Sequence, residues 1–313
     1  MNKLMTNVNP PKSRFSHLVR LSGALIASAM LLPVSASAQD YSKVNITAAK
    51  VAGAVHMLQG AGGNIGVSSG EDGVLIIDDQ FAPLSKKIMT SLKKLGSETP
   101  KFIINTHWHF DHTGGNEAFG KTGLIIAHLN VRERLSKGQT IEFFNKQVPA
   151  APEAALPVIT FKHSMSIHFN GEEVEIIHVA PSHTDGDSVV WFKGSNVIHL
   201  GDNFFNGGFP FVDYSSGGSL NGLLRNIETF VDRLPPNIKI IPGHGALASL
   251  DDLKNYRNML RGTIEHVAKA LAAGKSLDEI KKAGLDNKWE SFGHGFIKEG
   301  PWIDLVAAGL KKG

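Results

Sequence analysis

Behind the apolar stretch Lys101-Phe102-Ile103-Ile104-Asn105 the chain continues Thr106-His107-Trp108-His109-Phe110-Asp111-His112-Thr113-Gly114-Gly115-Asn116. Three histidines and one aspartate fall within six residues. A short apolar run bounded by turn residues reads as a buried strand, and Gly114-Gly115-Asn116 reads as a turn leading into a helix. Crowding that many polar side chains at a strand end is costly unless they hold a ligand. The chain is thereby constrained to an α/β architecture that opens a site at the C-terminal ends of its strands. Residues two apart in an extended segment face the same way, so His107 and His109 can grip one cation. Asp111 and His112, beyond the turn, can face a second. A metal such as zinc takes four or more N, S or O donors at about 2 Å.

The flanking segments follow the same plan. Val51–Leu58 reads as a first strand, Gln59–Asn64 as a turn, and Ile65–Ser68 as the return strand of a hairpin. The glycine-rich turn lacks the Gly-Lys-Ser/Thr ending of a phosphate loop and opens no helix, so it is expected to be a flexible flap. Val74–Ile77 is a strand ending in Asp78-Asp79, two acids that can serve as metal ligands, helix caps or buried acceptors. Pro83–Leu95 is helical, with Leu84, Ile88, Leu92 and Leu95 on one face, which completes a βαβ order up to the histidine run. Leu124–Ala127 is a strand, Val131–Leu135 begins a helix, and the Pro- and Ala-rich stretch Val148–Pro157 is expected to be a mobile surface loop.

The second half repeats the style. Ile159–Phe161, Ser164–Phe169 and Glu173–Val179 read as strands, the last delivering His183. Ser188–Phe192 and Asn196–Leu200 follow, the latter ending in Gly201-Asp202. Leu220–Leu234 is a helix, and Ile238–Ile241 a final strand ending in Pro242-Gly243-His244-Gly245. Beyond Leu250 the pattern is mostly helical, with an apolar segment from Trp302 to Leu310. Four apolar strands thus each end in a polar donor: the His107 run, His183, Asp202 and His244. A sheet whose strand ends converge gathers all seven side chains. Among the other histidines, His56, His168, His178 and His199 lie inside strands and read as packed or surface residues. His128, His163, His266 and His294 have no evident partner.

Composition narrows the class. Residues 1–20 carry Lys3, Lys12, Arg14 and Arg20 and no acid, Leu21–Val34 is apolar, and Ala36-Ser37-Ala38 is a small-residue cleavage site. This is the pattern of a secretory signal peptide cut after Ala38, too short for an ordinary membrane span. It implies a periplasmic or secreted domain over residues 39–313, without a stable membrane anchor; a retained N-terminal anchor is the alternative. Taking four basic residues from the formal charge of +3 leaves −1, so charge supplies no nucleic-acid footprint. There is no cysteine, so disulfides are absent although that compartment permits them, and any metal is held by nitrogen and oxygen alone.

The run His107-x-His109-x-Asp111-His112, followed by His183, Gly201-Asp202 and Pro242-Gly243-His244-Gly245, resembles the metallo-β-lactamase superfamily, and Asp78 looks like that family's buried strand-end aspartate. The resemblance implies a four-layered αββα sandwich with two zinc ions at one edge. His107, His109 and His183 would hold the first, Asp111, His112 and His244 the second, and Asp202 would bridge them. It implies a metal-bound hydroxide attacking the carbonyl of a lactam, lactone, ester or thioester, with Asp111 able to orient the nucleophile. The best-known β-lactamase subclass has a cysteine where Asp202 stands and a lysine three residues on; here position 205 is Phe, so β-lactam turnover is expected to be weak. Glyoxalase II chemistry fits the ligands, but its usual thioester is cytosolic. The loop Asn203–Tyr214, Trp108 and the Gly62-Gly63-Asn64 flap are candidate pocket walls for a small-molecule substrate. Two other classes stay open: an iron-dependent redox member, since iron or manganese also accepts His and Asp donors, and a non-catalytic metal-binding accessory protein. Oligomeric state is not readable.

Overall fold

The computed structural model describes residues 40–312; the predicted leader, residues 1–38, lies outside them. Strands β1 (Thr47–Ala52), β2 (Val55–Gln59), β3 (Ile65–Gly70) and β4 (Gly73–Ile77) form an antiparallel meander. Helix α1 (Ser85–Leu95) crosses over to β5 (Phe102–Ile104), which pairs with β4 in parallel. Two short helices, α2 (Phe110–Thr113) and α3 (Asn116–Phe119), lead to β6 (Leu124–His128), again parallel. After α4 (Leu129–Leu135) comes a separate hairpin of β7 (Gln139–Ile141) and β8 (Lys146–Val148). β9 (Ile159–Phe161) then closes a seven-stranded sheet of order β1-β2-β3-β4-β5-β6-β9.

The second sheet has five strands in sequence order: β10 (Ser164–Phe169), β11 (Glu172–His178), β12 (Ser188–Phe192), β13 (Val197–His199) and β14 (Lys239–Ile241). Helix α5 (Leu220–Arg233) crosses from β13 to its parallel neighbour β14, and α6 (Leu250–Ala272), α7 (Leu277–Ala283) and α8 (Glu299–Lys312) follow. No helix among the described residues is long and apolar enough to cross a membrane.

The layers follow from the two-residue period of the strands. In β4, Leu75 and Ile77 point into the space between the sheets, where they meet Ile176, Val190, Phe192 and Ile241. Their neighbours Val74 and Ile76 point outward, onto Ile88 and Leu92 of α1. In the second sheet Ile198 and Ile240 face Leu223 and Ile227 of α5 and Leu253 and Met259 of α6. Because both sheets are buried on both faces, their central strands read as unbroken apolar runs. The result is helix, sheet, sheet, helix: the expected αββα sandwich. Parallel pairing puts the C-terminal ends of β4, β5 and β6 at one edge, with Ile77 beside Ile104 and Ile104 beside Ile126. His199 beside Ile241 does the same for the second sheet.

Some local expectations are corrected. Val51–Leu58 is not one strand: Gly53, at φ 48°, reverses the chain between Ala52 and Val55. The β7–β8 hairpin carries no alternating pattern, and its turn at Asn145 relies on a left-handed φ of 47°. The Val148–Pro157 stretch is a tied connection, since Ala151 N–H donates to Leu135 O at 2.8 Å and Asn116 Nδ2 to Ala155 O at 2.9 Å.

His128 does have a partner: its ring stacks on His178 at 3.7 Å with planes 8° apart. Its Nε2–H donates to Lys162 O at 3.1 Å, its Nδ1 accepts from Asn130 N–H at 3.3 Å, and His178 Nδ1–H donates to Asp187 O at 2.8 Å. Burial, then the neighbouring His178 and His163 against the opposing Asp185, push His128 down to about 4. A depressed imidazole binds fewer protons folded than unfolded, so its stabilising share is complete above pH ~6.5 and is lost as pH falls toward ~4. With solvent screening that share is on the order of 2 kcal/mol. Replacing His128 by Gln is expected to flatten the fall in melting temperature across that window; an unchanged acid limb would exclude the stack as its cause.

Candidate metal centre

The seven donors meet at the shared strand edge. His107, His109, Asp111 and His112 follow β5, His183 follows β11, Asp202 follows β13, and His244 follows β14. Two aspects of the local sequence allow the approach. A Cβ on Gly243 would collide with Asp202 Oδ1, and one on Gly63 would sit in the His112 ring. Three groups have ligand atoms within 4.8 Å of one another: His107, His109 and His183; His107, His112 and Asp202; and Asp111, His112 and His244. Asp202 lies at the middle. Its Oδ1 is 3.1 Å from His112 Nε2, and its Oδ2 is 3.4, 3.5 and 3.9 Å from Nε2 of His183, His244 and His107.

The outer ring nitrogens explain how the inner ones are aimed. His183 Nδ1–H donates to Phe211 O at 2.8 Å, and His109 Nε2–H to Asp213 Oδ2 at 2.9 Å. His112 Nδ1–H donates to Asp78 Oδ2 at 2.7 Å, and His107 Nδ1–H to Thr106 Oγ1 at 3.0 Å. With those tautomers the inward nitrogens of His183, His109 and His107 are bare lone pairs, while His112 Nε2 faces the Asp202 carboxylate. His183 Nε2 and His109 Nδ1 then face each other at 2.7 Å, and buried His107 Nε2 has no hydrogen-bond partner at all. Lone pairs converging in a buried place repel unless a cation lies between them. The donor set, all nitrogen and oxygen, fits a divalent metal.

Burial pulls the His107 and His109 imidazoles below their ordinary value, which keeps them neutral. Burial works against Asp202 too, but His112, His244, His183 and His107 outweigh it and hold the carboxylate well below its usual range. Burial likewise opposes charge on His112 and His244; there the facing Asp202 and Asp111 carboxylates win and raise both. The Asp111 and His244 side chains are 21% and 30% exposed while the other five donors are buried. A small molecule therefore reaches the centre from the Asp111–His244 side.

Of the two acids at the end of β4, Asp78 is a buried acceptor. It sits at a left-handed φ of 62°. Besides His112 it accepts from Thr106 N–H and Thr106 Oγ1–H, both at 2.8 Å, and so fixes the first residue of the donor run. The expected pocket walls mostly change. Trp108 is wholly buried in the core. The glycine-rich flap is pinned, with Gly63 N–H donating to Asp111 O at 3.1 Å and Asn64 N–H to Gly243 O at 2.7 Å. In the Asn203–Tyr214 loop, Phe204, Phe209, Phe211 and Val212 are buried, while Phe205 stacks on His244 at 5.1 Å.

Asp213 belongs to the same loop, but its position in the chain does not reveal its part. It is buried, accepts from Ser215 N–H and Ser216 N–H, and its partner His109 lies 104 residues away. Partners of this kind are worth roughly 10–100-fold in metal affinity. Asp213→Asn is accordingly expected to weaken metal binding by about that factor, read by chelator competition. Unchanged affinity would leave Asp213 a purely structural side chain.

The sequence matches the profile of the metallo-beta-lactamase superfamily over residues 60–259, a segment containing all seven donors. The chain belongs to the metallo-beta-lactamase superfamily. It is 27% identical to hydroxyacylglutathione hydrolase of Rhodospirillum rubrum over 164 residues, 51% of this chain and 54% of that protein. It is 24% identical to an acyl-coenzyme A thioesterase of Bos taurus over 161 residues, 46% of this chain and 56% of that protein. The matches span about half the length of these curated relatives. The crystal structure of DIM-1 metallo-beta-lactamase superposes with a TM-score of 0.55 and 19% identity, covering 70% of this chain and 99% of that one. This superfamily member thus shares a metallohydrolase fold, has hydrolases as relatives, and gathers a cluster of donors suited to metal.

Proposed function

We propose that this chain is an exported di-zinc hydrolase that cleaves an acyl bond of a small molecule, a thioester, ester, lactone or lactam. The observation that carries the reading is the convergence of the bare His107, His109 and His183 nitrogens, and of the His112 and His244 rings, on one carboxylate with two separable oxygens. His107, His109 and His183 would hold one ion, Asp111, His112 and His244 would hold the other, and Asp202 lies within reach of both groups. When bound, such a pair supplies a Lewis acid for a carbonyl oxygen and a nucleophilic water near neutral pH.

The chain's own residues do the rest. Asp78, Asp213, Thr106 and the Phe211 carbonyl hold the His112, His109, His107 and His183 rings in their orientations. Asp111, at the open side, would orient the attacking water. Phe205 stacks on the His244 ring and fixes its plane. Names of the two curated relatives point to acyl thioesters, which supports that bond as the first to try. Phe205, where one β-lactamase subclass has a lysine, removes a grip on a lactam carboxylate, so β-lactamase activity is expected to be weak.

The test is metal analysis of the mature protein, paired with turnover of acyl thioesters, lactones and a chromogenic cephalosporin, with and without chelator. Two zincs per chain and chelator-sensitive turnover support the reading. Iron with coloured bands favours the redox alternative, and metal without turnover on any of the three substrates favours the accessory role. N-terminal sequencing of protein recovered from the periplasm checks the cleavage after Ala38.

A further inference from the structure

Among the described residues, five large apolar side chains are well exposed, and three of them, Phe143, Phe144 and Phe296, share one place. They are 40, 37 and 76% exposed. Exposed aromatics gathered in one patch mark an interaction site more often than scattered ones. Phe144 lies 5.3 Å from Phe296 and 5.0 Å from Phe143, centroid to centroid. Beneath them sits Phe211, 4.8 Å from Phe144 and 5.6 Å from Phe143. Phe211 in turn touches the metal centre, at 5.9 Å from the His109 ring and 5.7 Å from that of His183. The aromatic patch is therefore continuous with the donors.

The same hairpin brings a cation. Lys146, the first residue of β8, lies just past the Asn145 turn, and its Nζ rests 3.3 Å from the centroid of the Phe110 ring. Phe110 immediately precedes Asp111, on the side from which the centre is open. Among the described residues Lys146 makes no ion pair, unlike Arg134 or Lys193. The hairpin is held in register with the centre, since Glu142 N–H donates to Ser215 Oγ at 3.3 Å, and Ser215 flanks Asp213. An unpaired ammonium beside an aromatic patch suits a ligand with a negative charge and an apolar arm.

We propose that the β7–β8 hairpin is the substrate-selecting element: Phe143, Phe144 and Phe296 hold an alkyl or aromatic arm of the acyl substrate, and Lys146 holds an anionic group on it. The substrate class rests on the hydrolase reading above; the binding face does not. Two measurements keep them apart. The first is fluorescence titration of the metal-loaded protein with anilinonaphthalene sulfonate, an apolar anion, and with neutral phenylnaphthylamine. Phe144→Ala combined with Phe296→Ala is expected to weaken both probes about tenfold. Lys146→Gln is expected to weaken the sulfonate about fivefold and leave the neutral probe unchanged. Leu124→Ala, an exposed apolar residue at the far end of β6, serves as control and changes neither.

The second measurement is the ratio of kcat/KM for octanoyl over acetyl thioesters, expected to fall about tenfold in the double Phe variant, chiefly through KM. Variant-sensitive probe binding without turnover of any thioester upholds the face and sinks the hydrolase reading. Turnover with probe affinities and chain-length ratio unmoved by the variants overturns the face. So does a dimer in sedimentation that Phe296→Ala dissociates while probe binding stays intact, an outcome that assigns the patch to a second copy of the chain.

Discussion

If the chain is the di-metal hydrolase proposed above, Asp202→Asn is expected to cost at least one metal and to lower turnover by about 10³-fold or more. Four imidazoles carried by three different segments face this one carboxylate, at 3.1 to 3.9 Å. An amide of the same shape keeps one acceptor oxygen and puts an NH₂ where the other stood. That NH₂ carries no lone pair for a metal and brings the wrong polarity to a place built for a cation. Losing several kcal/mol of charge stabilisation corresponds to roughly three powers of ten in rate. Metal content per chain and kcat/KM, measured on the same preparation, read the effect. Asp202→Cys retains an anionic ligand and is expected to recover part of the metal. An Asn variant that keeps two metals and full turnover would remove Asp202 from its central role.

Chelation is expected to lower the melting temperature by about 10 °C. A ligand present at a thousand times its Kd adds about 4 kcal/mol, and for a domain of this size each kcal/mol moves Tm by roughly 2–4 °C. The gain is larger here than at a surface site, since the metal also relieves the facing lone pairs of His109 and His183. Its pH dependence has a definite sign. In the metal-free protein, burial is outweighed by carboxylates that raise His112 and His244. Their ion pairs stabilise that form fully below pH ~6.5 and are lost as pH climbs past their raised values. Metal binds only the deprotonated rings, so loading releases protons. The difference in Tm between loaded and chelated protein should therefore widen from acid to neutral pH. A difference that is flat or shrinks over that range would show that the metal is held by groups other than these two.

The extent to which the site can be read in advance depends on how local each feature is. The run from His107 to His112 is compact, and the two-residue period of extended chain orients its first pair. His183, Asp202 and His244 each follow an apolar strand within a few residues, so the strand-end rule finds them although they are far apart. The layers are legible for the same reason, because Val74–Ile77 and Ser188–Phe192 are apolar on both faces. Asp213 is not legible, since nothing near it in the chain announces a histidine 104 residues away. Nor is the pinning of the glycine-rich turn, whose hydrogen bonds run to Asp111 and Gly243.

The sequence by itself determined the αββα class and a cluster of His and Asp side chains suited to metal, because those depend on residue type and on backbone periods that repeat every two residues. Only the tertiary structure decided which nitrogens of His107, His109, His112 and His183 face inward, that Trp108 is core rather than wall, and that Phe143 and Phe144 pack on Phe211 and Lys146 on Phe110 beside the donors. Those facts depend on contacts between segments brought together by sheet closure. A hairpin of three-residue strands around a left-handed Asn145 leaves no periodic trace by which its place could be foreseen.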